Sequence, residues 1–156
     1  MPTLSVKKEL NVSAERLWAA LKDLPNILPK IMPLFMVSVE MIKGNGGVGS
    51  VRVIKVPAGM RIVEYAVARI DLVDEKSKTE VHSIIGGEMR EKFYSFYRCT
   101  KTFAPHRDGK TSMVTWTVEY EPLTQGKAEA SKKAVEAILT QLEHYLMNCD
   151  DYITIH

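Results

Sequence analysis

The sequence predicts an α+β fold: a curved antiparallel sheet of about seven strands wrapped around one long C-terminal helix, with two short helices near the N-terminus. Three observations carry this. β-branched and aromatic residues recur at every second position from about residue 36 to residue 120. Clusters of turn formers interrupt that stretch: Gly44-Asn45-Gly46-Gly47-Val48-Gly49, Asp74-Glu75-Lys76, Gly86-Gly87 and His106-Arg107-Asp108-Gly109. After Pro122 and Gly126 the apolar period changes to three and four.

In order, residues 3–11 alternate and form an edge strand. Ser13 is placed as the N-cap of a helix whose apolar face is Leu17, Trp18, Leu21 and Leu24. Pro25 is expected to stop that helix, and 26–32 to form a second, closed by Pro33. Strands are expected over 37–43 and 50–56, a hairpin around the glycine run, then over 61–73, 78–85, 90–103 and 111–120. The final helix is expected over 127–152, with Ala134, Val135, Ile138, Leu142, Tyr145, Leu146 and Cys149 on one side. A helix of ~25 residues, about 37 Å long, crosses such a sheet without filling its concave face. A cavity is therefore expected between them.

The chain has 156 residues, 46% apolar and 26% charged, which suits a single ligand-binding domain over 1–156. A net charge of +2, from 21 Lys and Arg against 19 Asp and Glu, lacks the basic excess of a nucleic-acid binder. Cys99 and Cys149 are too few for a disulfide framework, and no His spacing completes a metal site, so neither metal nor cofactor is expected. Lys7, Lys8 and Glu9 stand where a signal peptide needs apolar residues, and no run approaches ~18 apolar residues. A cytoplasmic monomer is expected, with the nucleus open to so small a chain.

The segment Glu40-Met41-Ile42-Lys43-Gly44-Asn45-Gly46-Gly47-Val48-Gly49-Ser50 resembles the signature loop of the birch-pollen-allergen family, the class-ten pathogenesis-related plant proteins. Asp71-Leu72-Val73-Asp74, Ile84-Ile85-Gly86-Gly87 and the terminal helix extend the likeness to the whole chain. The resemblance implies a START-like, helix-grip fold with an internal hydrophobic cavity. It also implies a defence-related carrier or sensor for hydrophobic or aromatic small molecules: flavonoids, other secondary metabolites, or hormones such as cytokinins or abscisic acid. Ser83 to Arg90 is similar to the latch loop of the abscisic-acid receptors, but their gate loop is not matched by Val56-Pro57-Ala58-Gly59 and their carboxylate-binding lysine has no counterpart near Phe35. In the norcoclaurine-synthase-like branch, Tyr65 falls near the catalytic tyrosine, whereas the acidic positions fall at about Ala68 and Arg98.

Alternation places Val114, Trp116, Val118 and Tyr120 on one inward face, and Val63, Tyr65 and Val67 inward on an earlier strand. Tyr94, Phe96 and Arg98 share a face. The family register puts Glu80, His82 and Ile84 inward; the rival register puts Val81 and Ser83 there. The candidate ligand-binding residues are thus Tyr65, Glu80, His82, Ile84, Tyr94, Phe96, Arg98, Trp116, Val118, Tyr120 and, from the helix, Ile138, with Glu80 and Arg98 expected to pair across the interior. His82 is the titrating group expected near neutral pH. Gly44, Gly46, Gly47 and Gly49 form the glycine-rich loop, expected to supply positive φ in a hairpin and not to cradle a nucleotide, since no Gly-Lys-Ser/Thr before a helix follows. The alternative functions are an enzyme of specialised metabolism (a cyclase, isomerase or condensing enzyme) using His82 or Tyr65 for proton transfer, and a ribonuclease.

Overall fold

A computed structural model describes residues 2–31, 38–55, 65–123 and 127–153. Its elements run β1 (Thr3–Leu10), α1 (Ala14–Lys22), α2 (Leu24–Ile31), β2 (Ser38–Lys43), β3 (Val51–Lys55), β4 (Tyr65–Asp74), β5 (Thr79–Gly87), β6 (Tyr94–His106), β7 (Thr111–Pro122) and α3 (Lys127–Met147). The seven strands form one curved antiparallel sheet in the order β1-β7-β6-β5-β4-β3-β2. β1 and β2 are consecutive among the strands yet lie at opposite edges, so α1 and α2 must bridge the open side. Leu17, Trp18, Leu21, Ile27, Leu28 and Ile31 fill that bridge.

Ser13 does cap α1, its hydroxyl accepting from the Arg16 amide at 3.3 Å. The helix ends at Lys22, before Pro25; Pro25 instead occupies the first turn of α2, where its missing N–H costs no hydrogen bond. α3 ends at Met147, short of the expected residue 152. The chain then folds back on α1: Arg16 Nη2 donates to the Cys149 carbonyl at 2.6 Å and Nε to the Asp151 carbonyl at 2.8 Å. Val135, Leu139, Leu142 and Leu146 of α3 join Val6, Leu10 and Val114 of the sheet in one core.

Two departures from simple alternation matter for the interior. β6 starts at Tyr94 and not at residue 90, because Met89–Phe93 coils into a single π-helical turn. That turn follows Gly87, which closes β5 with φ +84°; a Cβ there would lie 2.7 Å from the Tyr65 carbonyl oxygen. The register of β6 against β7 then shifts between Tyr94 and Phe96, a bulge that reverses the facing of all that follows. Met113 stands opposite Glu9 on the outer face, and Met41 and Met89 are half-buried.

Candidate functional site

Register pairing assigns the inner face strand by strand. Trp116 stands opposite Val6 and Lys101, Val118 opposite Leu4 and Cys99, and Tyr120 opposite Tyr97. His82 pairs with Ile70 and Cys99, Glu80 with Lys101, and Ile84 with Ala68, which in turn faces Arg52. This is the register with Glu80, His82 and Ile84 inside; Val81 and Ser83 lie outside, the Ser83 hydroxyl donating to Asp71.

On β4 the inner residues are Ala66, Ala68 and Ile70, all buried, while Tyr65 is 36% exposed and Val67 half-buried on the outer face. Val63 lies outside the described residues. On β6 the expected set divides. Tyr94 is buried and inside, but beyond the bulge Tyr97, Cys99, Lys101 and Phe103 face inward, so Phe96 and Arg98 face out. Arg98 stacks over the Phe96 ring at 5.3 Å and reaches Asp71 at 3.8 Å. It cannot pair with Glu80. Ile138 of α3 is partly buried against the core.

The partners of Glu80 are residues that alternation alone passes over. Lys101 Nζ lies 2.9 Å from its Oε1 and Arg52 Nη2 lies 3.3 Å from the same oxygen. His82 Nδ1 approaches it at 3.6 Å, beyond hydrogen-bond reach. Burial works to raise the Glu80 carboxyl, but Lys101, His82 and Arg52 outweigh it and hold the group well below the usual carboxylate range. Burial, reinforced by Lys101, pushes His82 down to about 4, so it is neutral at neutral pH and not the titrating group its side-chain type predicts. Burial also raises the Cys99 thiol to about 11, an unreactive thiol. The Lys101 ammonium sits 4.9 Å from the Trp116 ring centroid.

Aromatic side chains flank this polar cluster. The Tyr94 ring lies 4.9 Å from Tyr97 and 6.0 Å from Tyr120, and its hydroxyl is 3.0 Å from that of Ser131 on α3. Among the described residues, four buried side-chain polar atoms have no partner: Arg52 Nε, His82 Nδ1 and Trp116 Nε1 around this cluster, and Ser112 Oγ further along β7. The inner face thus offers hydrogen-bonding groups that the protein does not itself satisfy.

The glycine loop is a separate feature. Gly44, Gly46 and Gly49 have φ of +84°, +105° and +86°. Three of its amides are already occupied: Gly46 N donates to Ser50 Oγ at 2.9 Å, Gly47 N to Asn45 Oδ1 at 3.2 Å and Gly49 N to the Ile70 carbonyl at 2.8 Å. A phosphate cradle needs such amides free. Among the described residues, no three His, Cys, Asp or Glu side chains gather as a metal site, and no helix is long and apolar enough to cross a membrane.

Comparison with known proteins agrees with this architecture. The chain is 36% identical over 119 residues to MLP-like protein 423 of Arabidopsis thaliana, covering 76% of this chain and 75% of that protein. It is 30% identical over 158 aligned positions to class 10 plant pathogenesis-related protein 2F of Lupinus luteus, covering 96% and 98%. Norcoclaurine synthase of Thalictrum flavum, solved with dopamine and hydroxybenzaldehyde, superposes with a TM-score of 0.78 at 17% identity, over 96% of this chain and 88% of that one, a likeness of fold. Residues 2–149 match the model of one family, and the chain belongs to it: the pathogenesis-related protein Bet v 1 family.

Proposed function

We propose that this protein binds a hydrophobic or aromatic small molecule between the inner sheet face and α3, as a carrier or sensor in plant defence. One observation carries the reading: Arg52 Nε, His82 Nδ1 and Trp116 Nε1 are buried without partners, amid Tyr94, Tyr97 and Tyr120. Buried polar groups in a filled core are nearly always paired, because an unpaired one costs about 1–3 kcal/mol. A flat ligand with polar edges, such as a flavonoid or cytokinin, would supply both the acceptors and the stacking area. Titration with the uncharged fluorescent probe N-phenyl-1-naphthylamine, followed by displacement with one flavonoid and one cytokinin, tests this. Saturable probe binding reversed by a metabolite supports it; no uptake of probe or metabolite overturns it.

The second reading, an enzyme working in the same interior, draws on the approach of His82 to Glu80 at 3.6 Å. Amine–aldehyde condensation is disfavoured: the two positions matched to acidic residues hold Ala68, inside without a carboxylate, and Arg98, outside. Mass spectrometry of incubations with dopamine and an aryl acetaldehyde decides this, a stereoselective product above a boiled control reinstating the enzyme.

A further inference from the structure

The buried charges on the inner face do not balance. Among the described residues, the buried ionic side chains are Arg52, Lys101 and Glu80, two cations against one anion. His82, held neutral, adds none. Both cations and the imidazole crowd a single oxygen, Glu80 Oε1, at 2.9, 3.3 and 3.6 Å. Even so, the Arg52 Nε–H donor has no acceptor, and neither has Trp116 Nε1–H, whose neighbour Cys99 offers only a weakly accepting thiol. An uncompensated buried charge is costly, and a guanidinium uses its remaining N–H groups on a carboxylate where it can. Among the described residues the cluster is one anion short, and Arg52 Nε–H and Trp116 Nε1–H are unused donors on it.

We infer that the interior takes an organic monoanion, a carboxylate or a group of like charge and shape on an apolar body, seated against Arg52 and Lys101 with Trp116 Nε1 donating to it. The three residues are linked through the sheet: Trp116 stands opposite Lys101, Lys101 opposite Glu80, and Arg52 reaches Glu80 from β3. Tyr94, Tyr97, Tyr120, Ile84 and Val118 line the same face and would receive the apolar body. The assignment rests on the ligand-binding reading above and adds the charge of the ligand to it.

Benzoate, 2-naphthoate and decanoate, each beside its own primary amide, test the charge at nearly constant shape. Calorimetric titration of the full chain at pH 7 should show at least one acid binding about tenfold or more tighter than its amide, the ratio expected when a hydrogen-bonded charge replaces a neutral group. Lys101→Met should erase that ratio. Glu80→Gln, which removes the internal competitor for both cations, should tighten the acid further. Trp116→Phe keeps a ring and removes the N–H, and should narrow the ratio even if Lys101→Met does not fold. Equal affinity of every acid and its amide overturns the proposal, as does formate matching the best acid in raising the melting temperature at equal concentration. If N-phenyl-1-naphthylamine binds while no acid does, the anion site falls and the ligand-binding reading stands. If neither probe nor acids nor amides bind, both fall.

Discussion

The hydroxyls of Tyr94 and Ser131 meet at 3.0 Å, a polar link between β6 and α3 beside the aromatic cluster. Tyr94→Phe keeps the ring tilted against Tyr97 and removes only this link. We expect a loss of about 1 kcal/mol, a fall in melting temperature of ~2–4 °C for a chain this size. Ser131→Ala removes the same bond from the other side. A double-mutant cycle checks the assignment: the pair together should cost little more than either alone, and full additivity would show that the two hydroxyls do not interact.

Acid should destabilise the fold in two stages. His82 titrates near 4 when folded and near 6.5 when unfolded, so between those values the unfolded chain binds more protons and stability falls as pH falls. Glu80 is held below its unfolded value near 4.5, so its contribution is present above 4.5 and lost on further acidification. The groups facing this pair are Lys101 and Arg52, with Cys99 opposite His82. Denaturant titrations from pH 8 to pH 4 should show stability declining below about 6.5, a slope that His82→Asn flattens. A flat profile in the wild type would contradict a buried neutral imidazole.

The glycine loop should separate two kinds of strain. At Gly46, with φ +105° and no atom within 4 Å of an added Cβ, alanine meets only the backbone penalty, about 1 kcal/mol. At Gly44 an added Cβ also collides with Ser50, whose hydroxyl accepts from Gly46 N. Gly44→Ala should therefore destabilise clearly more than Gly46→Ala, as chemical denaturation would measure. Equal effects would mean that the Ser50 contact yields freely.

The two tryptophans should report differently on a ligand. Trp116 lies on the inner face beside Lys101, whereas Trp18 Nε1 donates to Glu75 at 2.5 Å and its ring meets Phe103 edge-on at 6.3 Å. An aromatic ligand should quench emission in Trp18→Phe, which retains only Trp116, and leave Trp116→Phe nearly unchanged. Equal quenching of both would place the ligand elsewhere.

β7 could be read from its residues because its two faces differ in kind: Val114, Trp116 and Val118 on one, Thr115, Thr117 and Glu119 on the other. β6 could not, since Tyr94, Phe96 and Tyr97 put aromatic rings on both parities and the bulge at Ser95 moves Tyr94 to the side of Tyr97. On β4, size misleads: the larger Tyr65 and Val67 look like core, yet the small Ala66 and Ala68 lie inside, opposite Ile54 and Arg52. Lys101 was missed because a lysine reads as solvated, although it shares parity with Tyr97, Cys99 and Phe103. A cation between buried apolar neighbours calls for an anion on the adjoining strand, and Glu80 is that anion.

Arg16 closes the C-terminal end of α3 onto α1 through the main-chain carbonyls of Cys149 and Asp151. Bonds to carbonyl oxygens are indifferent to side-chain identity, so the fastening can persist while positions 149 and 151 drift in sequence. Its vulnerability is asymmetric. Substitution at either acceptor position keeps a carbonyl oxygen to accept from Arg16, losing the Cys149 Sγ contact at 3.9 Å or the Asp151 carboxylate's bond from Tyr145, whereas Arg16→Met undoes both ends of the clasp in one step.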